Sequence, residues 1–222
     1  MCKDDENRGR RDVKKLMSRS INVFPAKKSL DETTFTEGTL EADLCYYLEF
    51  DPKVVSYQPQ PHCIKYFLND EKHCYTADLL VNYFDGKKRL IEIKYNRDID
   101  RISDFDDWRL AIKTACESQG FEFEVLTEDE IRKQPLYENL TLLWASHDKA
   151  LDKGFLVKVI NTLDQNDDVL ISDLLPKVNF DSELEQVYKL IFDRKILAPI
   201  DTEFLSTQTS IKHSGESYEC YL

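Results

Sequence analysis

A closely spaced series of β-prone segments in the first half of the chain constrains the fold more than any other feature. Residues 63–68, 74–84 and 89–95 are rich in β-branched and aromatic residues. Two short connections, residues 69–71 and 85–87, separate them and contain the Asn, Asp and Gly typical of tight turns. The pattern therefore predicts a meander of antiparallel strands.

Helical patterns flank these strands. Leu40, Leu44 and Leu48 recur at helical spacing after Thr36, a potential N-cap, and Asp51-Pro52 is expected to end that helix. The strands are followed by a helix over residues 105–119, a strand over 121–126 and a helix that opens with the acids of 127–130. This order predicts an α/β catalytic core with a mixed sheet flanked by helices over residues 36–147.

The last third of the chain has a different character. Its pattern predicts three short helices followed by two paired strands, at residues 156–163, 171–178, 184–191, 196–200 and 209–212. We expect a small winged-helix-like domain over residues 148–222. The early part of its third helix is acidic, with Asp181, Glu183 and Glu185, which favours a protein-docking face over a DNA-reading one.

Charge is distributed unevenly along the chain. The net charge is −12, yet residues 8–28 carry eight basic residues against one acid, Asp12. Residues 1–35 are predicted to form a basic arm that binds the DNA phosphate backbone. Its candidate contacts are Lys14, Lys15, Arg19, Lys27 and Lys28. A solvated tail is the alternative interpretation.

Cysteine usage and hydropathy indicate a soluble protein of the cytoplasm. The six cysteines show no CxxC spacing, so we expect reduced thiols that pack as small hydrophobes. His62-Cys63 and His73-Cys74 do not predict a zinc site, because neighbouring residues on a strand face opposite sides. The predicted turn also places Cys63 opposite Asp78 rather than Cys74. No apolar run approaches the roughly 20 residues of a membrane span.

Two acidic residues and a lysine, Asp78, Glu92 and Lys94, are the candidate catalytic residues. Side chains alternate along a strand, so Glu92 and Lys94 point to the same side. The turn at residues 85–87 brings Asp78 within reach of Glu92, and Glu41 lies at the border of the buried face of the first predicted helix. Carboxylates in this arrangement are typical of Mg²⁺-assisted phosphodiester hydrolysis, in which the lysine orients or deprotonates the attacking water.

The spacing alone is a weak signal. Charged residues make up 32% of the chain, so Asp-x₁₃-Glu-x-Lys can arise by chance. An edge strand whose Glu92 and Lys94 simply face water explains the spacing equally well. The apolar residues around Glu92 and the isolation of Asp78 within the same hairpin favour a site.

The motifs together resemble a known family. The chain is similar to the PD-(D/E)xK nucleases and, more narrowly, to the TnsA family, the endonuclease subunits of heteromeric transposases. The resemblance covers about residues 8–147. Its main motifs are Thr36-Glu37-Gly38-Thr39-Leu40-Glu41, Leu48-Glu49-Phe50-Asp51-Pro52, Val55-Ser56-Tyr57-Gln58-Pro59-Gln60-Pro61, Tyr75-Thr76-Ala77-Asp78 and Ile91-Glu92-Ile93-Lys94.

This resemblance implies a restriction-endonuclease-like fold and an enzyme of the bacterial cytoplasm that cuts the 5′ ends of a transposon. It implies three partners: the double-stranded DNA of the transposon ends, a DDE-type transposase, and an AAA+ ATPase that docks through the C-terminal region. It also implies catalytic roles for Glu41, Asp78, Glu92 and Lys94. Mg²⁺, or Mn²⁺ in its place, would be held by the three acids and the Ile93 carbonyl. Ala77 stands where the family usually has Pro, and some members have Gln at the position of Glu92.

Two other functions fit the same residues. A restriction or repair nuclease of this fold would share the site but would lack the transposase partners. A non-catalytic DNA-binding adaptor would use the acids structurally and would need no metal.

Overall fold

The computed structural model describes residues 22–30, 34–36, 38–166, 168–178 and 183–214. Contacts divide the chain into two compact units, residues 1–131 and 132–222. Among the described residues, no helix is both long enough and apolar enough to cross a membrane.

The first unit is a mixed α/β fold, as the sequence predicted. Its elements, in chain order, are β1 (Asn22–Phe24), β2 (Thr34–Thr36), α1 (Thr39–Phe50), β3 (Val54–Pro59), β4 (Ile64–Leu68), β5 (Glu71–Tyr75), β6 (Leu79–Tyr83), β7 (Lys88–Ile93), α2 (Asn96–Ile99), α3 (Phe105–Glu117), β8 (Glu122–Leu126) and α4 (Glu128–Ile131).

The main sheet has the strand order β3-β6-β7-β8 within the described residues. β6 is antiparallel to both β3 and β7, whereas β7 and β8 are parallel. The parallel pair is possible because the connection through α3 is long enough to cross over the sheet. The result is a mixed sheet flanked by helices, which is the core that the sequence predicted.

The predicted continuous strand over residues 74–84 was wrong. The chain leaves strand geometry at residues 76–78, and β4 pairs with β5 in a separate two-stranded hairpin. One face of this hairpin supplies Ile64, Tyr66 and Tyr75 to a core cluster with Ile112 and Cys116 of α3. Packing against the helix therefore draws the hairpin away from the main sheet.

The start of α1 also differs from the prediction. Gly38 is the N-cap residue of α1, and Thr36 lies in β2, where its hydroxyl donates to the Gly38 carbonyl. The predicted apolar stripe is confirmed, because Leu40, Leu44 and Leu48 are buried. The segment predicted as a basic arm includes structured residues, since β1 pairs with β2.

The second unit contains helices and a small sheet. Its described elements are α5 (Leu136–Trp144), α6 (Lys153–Leu163), β9 (Val169–Leu170), α7 (Ile171–Val178), α8 (Glu183–Phe192), β10 (Ile196–Leu197) and β11 (Ser210–His213). The antiparallel strand order β10-β11-β9 confirms that the last two predicted strands pair. The winged-helix assignment itself stays a prediction.

α5 belongs to this second unit through Asn139. Its buried side-chain amide donates to the carbonyls of Ile200 and Glu203, at 2.8 and 2.7 Å, and accepts from the Leu205 backbone N–H at 2.8 Å. The domain boundary predicted after residue 147 falls inside this unit.

The cysteine prediction was wrong for one pair. Cys63 and Cys74 form a disulfide, with their Cα atoms 5.8 Å apart. The hairpin register pairs Ile64 with Tyr75, which places Cys63 diagonally across from Cys74 and not opposite Asp78. Cys45 and Cys116 are buried thiols, and burial raises their pKa values to about 12 and about 11.

Candidate active site

Asp78 and Glu92 lie across from each other on neighbouring strands. The register pairs Leu79 of β6 with Ile91 of β7, so one further residue in the same direction places Asp78 opposite Glu92. Asp78 Oδ2 accepts a hydrogen bond from the backbone N–H of Ile93 at 2.7 Å. The strand alternation and the tight turn predicted this meeting of the two acids.

Glu92 is buried and held from both sides. Its side chain is only 9% exposed; Oε1 accepts from the Lys94 ammonium at 2.6 Å, and Oε2 accepts from the Tyr75 hydroxyl. β7 lies between β6 and β8 in the sheet. The alternative interpretation of an edge strand with water-facing side chains is therefore wrong.

Aromatic rings surround the Glu92–Lys94 pair. The Lys94 ammonium lies 5.5 Å from the centre of the Trp108 ring, close enough for a cation–π contact. Trp108 meets Tyr75 edge to face at 5.7 Å and stacks on Phe105 at 5.5 Å. The sequence analysis assigned no role in the site to Tyr75 or Trp108. The position of Tyr75 in the motif just before Asp78 was the available signal.

Glu41 approaches the same region from α1. It occupies the first turn of the helix and is partly buried. A Cβ atom built on Gly38 would lie 3.6 Å from Glu41 Oε1, so the carboxylate rests beside the start of its own helix. The structure thus places Glu41 near enough to Asp78 to influence its ionisation.

The electrostatic environment of Asp78 is unfavourable to its charge. Burial raises the pKa of Asp78 well above its usual value, and the charges of Glu92 and Glu41 raise this pKa further. The hydrogen bond from Ile93 and the charge of Lys94 act in the opposite direction without cancelling the shift. Burial and the neighbouring Glu92 also raise the pKa of Tyr75, so its phenol remains a hydrogen-bond donor.

The oxygen atoms of Asp78 and Glu92 are suitable ligands for a hard divalent cation that binds few protein groups. In the described part of the chain, no three Asp, Glu, His or Cys side chains are grouped closely enough to hold a metal ion. Asp78 and Glu92 still offer two carboxylates across one strand pair, and the backbone of Ile93 contacts Asp78. Mg²⁺ commonly uses one or two carboxylates and keeps several waters.

The predicted DNA-binding lysines and arginine divide into two groups. Lys14, Lys15 and Arg19 lie outside the described residues. The Lys28 ammonium donates to the backbone carbonyls of Leu48 and Asp51, which caps the C-terminal end of α1. Lys27 is exposed, and its backbone N–H donates to Glu49.

A comparison with protein families matches the part of the chain that contains this strand pair. Residues 51–128 match the family model described as TnsA-like endonuclease N terminal. No curated protein matches the chain. The family match confirms the resemblance drawn from the sequence and indicates a nuclease of the transposase-subunit kind, which works with DNA. The matched segment includes Asp78, Glu92 and Lys94, while Glu41 precedes it.

Proposed function

We propose that this chain, which carries a TnsA-like endonuclease N-terminal domain, is a Mg²⁺-dependent endonuclease that cleaves the 5′ ends of a transposon. It would act as one subunit of a heteromeric transposase, beside a DDE-type transposase and an AAA+ ATPase. The observation that carries the proposal is the Asp78–Glu92 pair with Lys94 bound to Glu92, inside the segment that matches the family. The assignment of the 5′ strand and of both protein partners rests on the resemblance.

Asp78, Glu92 and the Ile93 carbonyl are the residues that would hold Mg²⁺ or Mn²⁺, whereas Glu41, predicted as a third acidic ligand, does not form a three-acid group with them in the described part of the chain. When bound there, the cation supplies an activated water and offsets negative charge on the phosphate. Two carboxylates that face each other with a raised Asp78 pKa support this role, because a cation between them removes the repulsion. Glu41 would strengthen the attraction for the cation through its own negative charge.

Lys94 would orient the attacking water through its ammonium group, which donates hydrogen bonds. Its ammonium is held by Glu92 Oε1 and by the face of Trp108, so the side chain has little freedom to move. Tyr75 fixes the other carboxylate oxygen of Glu92. The two hydrogen bonds thereby hold Glu92 and Lys94 in a defined geometry, which is the arrangement that catalysis by positioned groups requires.

The test is strand-specific cleavage by a complex reconstituted with the partner transposase, the ATPase, donor DNA and Mg²⁺. Lys94→Ala leaves the carboxylates in place, so the 5′-end cut should fall by ~100-fold or more, the size expected for a lost acid–base group. The 3′ ends should still be cut and joined, since that chemistry belongs to the partner. The product then stays attached to the donor through its uncut strands.

Lys88→Ala is the matched control, because Lys88 is an exposed lysine at the opposite end of β7. A complex that contains this variant should cut both strands at the wild-type rate. Normal 5′ cleavage by Lys94→Ala would remove Lys94 from the active site. Efficient cleavage of duplex DNA by the wild-type chain without partners would instead favour a nuclease outside transposition, and metal-independent DNA binding without cleavage would favour an adaptor.

A further inference from the structure

The hairpin formed by β4 and β5 has two faces of different chemistry. Its inner face carries Ile64, Tyr66 and Tyr75, which pack against α3. Its outer face carries Lys65 and Phe67 on β4 and Lys72 and the disulfide-bonded Cys74 on β5, and all four are exposed. The register places Phe67 directly across from Lys72, so the aromatic ring lies between two lysines.

Lys65, Phe67 and Lys72 are exposed and form no hydrogen bond or ion pair through their side chains with the described residues. Phe67 leaves 67% of its surface exposed, so its ring is available for contact with a ligand. Lys65 and Lys72 form no ion pair with any described residue, although acids are abundant in this protein. Together the three side chains offer two positive charges and one apolar ring to a ligand.

DNA fits this face better than an acidic protein surface does. A two-stranded β-ribbon has dimensions that a DNA groove accepts, and the lysines match the phosphate charge. Some proteins that bind the minor groove also insert apolar side chains such as Phe between the bases. The acids Asp70 and Glu71 lie at the tip, so we expect the flat outer face, and not the tip, to meet the DNA.

The hairpin is fixed to the candidate active site. Tyr75 ends β5, its hydroxyl donates to Glu92, and Asp78 follows three residues later. Lys72 is six residues before Asp78, which is at most about 20 Å of extended chain. This distance corresponds to about six base pairs of duplex, so DNA on this face would lie within one helical turn of a phosphate at Asp78.

We propose that the outer face of the β4–β5 hairpin, formed by Lys65, Phe67 and Lys72, binds duplex DNA beside the scissile phosphate. Lys65 and Lys72 contact the backbone, and Phe67 packs against sugars or bases. This inference rests on the proposed function, because it assigns the DNA flank of the same active site.

The experiment measures binding of the full chain to a fluorescent duplex of about 30 base pairs, in EDTA, at salt concentrations from about 50 to about 200 mM. The variants are Lys65→Ala/Lys72→Ala, Phe67→Ala and a charge-matched control, Lys88→Ala/Lys153→Ala. Both control lysines are exposed and lie outside the hairpin. Thermal unfolding of each variant checks that the fold is retained.

The double hairpin variant should bind roughly tenfold more weakly at low salt. It should also lower the slope of log Kd against log salt by about 2, because each lysine neutralises one phosphate. Phe67→Ala should weaken binding by roughly fivefold with an unchanged slope, because its contact is apolar. The control should change affinity by less than about twofold.

Equal affinities and slopes for the hairpin variants and the control would overturn the inference while leaving the proposed function intact. The same holds if the hairpin variants bind DNA normally but fail to join the transposition complex, since the face would then bind protein. A wild-type chain with no affinity for duplex DNA would also overturn the inference, whereas the proposed function is tested separately by strand-specific cleavage in the complex.

Discussion

Glu49 and Asp78 are acidic residues in two regions of the first unit, and they differ in how well hydrogen bonds compensate their negative charge. Glu49, near the end of α1, is 6% exposed and accepts three hydrogen bonds. Its donors are the backbone N–H groups of Lys27 and Lys28, at 2.8 and 3.0 Å, and the hydroxyl of Tyr57 at 2.9 Å. Every one of these contacts ties the N-terminal segment or β3 to the helix, so Glu49 is a structural residue.

Asp78 has much poorer compensation. It accepts a hydrogen bond from the Ile93 N–H, and two further acids, Glu92 and Glu41, are near enough to raise its pKa. The Lys94 ammonium is bound to Glu92. Folding therefore satisfies Glu49, but it leaves Asp78 in a position where its negative charge is disfavoured.

This difference in charge compensation distinguishes Glu49, an acid that stabilises the fold, from Asp78, an acid that we assign to the active site. A buried charge without full compensation lowers stability, so such groups are concentrated at functional sites. Both acids lie in motifs of the family resemblance, and sequence alone does not separate their roles. Substitutions at the two positions test the separation.

The largest expected effect is on cleavage by Asp78→Asn. The amide oxygen can still accept from Ile93, while the charge that would bind the cation is removed. Cleavage of the 5′ strand should fall by at least ~100-fold, and the free energy of unfolding without metal should stay the same or rise. Strand-resolved cleavage and urea unfolding measure the two effects. A variant that is destabilised and still cleaves would show that Asp78 is a structural residue and not a catalytic one.

Glu49→Gln should show the opposite result. The amide group can replace some of the three hydrogen bonds, but it brings its own donors towards the N–H groups of Lys27 and Lys28. We expect a decrease of about 2–4 kcal/mol in the free energy of unfolding. At a temperature where the variant is folded, cleavage per folded molecule should remain near the wild-type rate. Strongly reduced cleavage in a stable Glu49→Gln protein would show that Glu49 is needed for catalysis, which contradicts its assignment as a structural residue.

The smallest expected effect is on the pH dependence of stability without metal. Because the pKa of Asp78 is higher in the folded chain than in the unfolded one, the folded state holds that proton more tightly. Its contribution to stability is present below about pH 4, the ordinary aspartate range, and disappears as the pH rises through the folded pKa.

Urea unfolding in EDTA at several pH values would measure this dependence. The free energy of unfolding should decrease more for the wild type than for Asp78→Asn as the pH rises, and Glu49→Gln should follow the wild type in this difference. Parallel curves for wild type and Asp78→Asn would show that the Asp78 charge is not disfavoured in the folded protein.

Much of the core could be predicted because it depends on local pattern. Strand alternation and one tight turn were enough to bring Asp78, Glu92 and Lys94 together. The separation of β5 from β6 could not be predicted, since residues 74–84 contain no Gly or Pro to mark a break. That break arises from packing of the hairpin on α3, which involves residues far apart in the sequence.

The supporting residues of the site were missed for the same reason. Tyr75 reaches Glu92 across 17 positions of sequence, and Trp108 reaches Lys94 from another element. The role of Lys28 could not be predicted either. The sequence of a basic segment does not show whether a lysine binds phosphate or donates to the carbonyls at the end of a helix. The Cys63–Cys74 pairing depended on the exact hairpin register, and an error of two residues in that register concealed it.

Calorimetric titration of Mn²⁺ into the wild type, Asp78→Asn and Glu49→Gln, with the proteins folded and without DNA, is the most direct test of a metal site at Asp78. We expect the wild type and Glu49→Gln to bind Mn²⁺ with the same affinity and Asp78→Asn to show no binding. Carboxylate oxygens at Asp78 and Glu92 are the ligands on which this result depends. Equal Mn²⁺ binding by Asp78→Asn and the wild type would contradict the assignment of Asp78 to chemistry rather than to the fold.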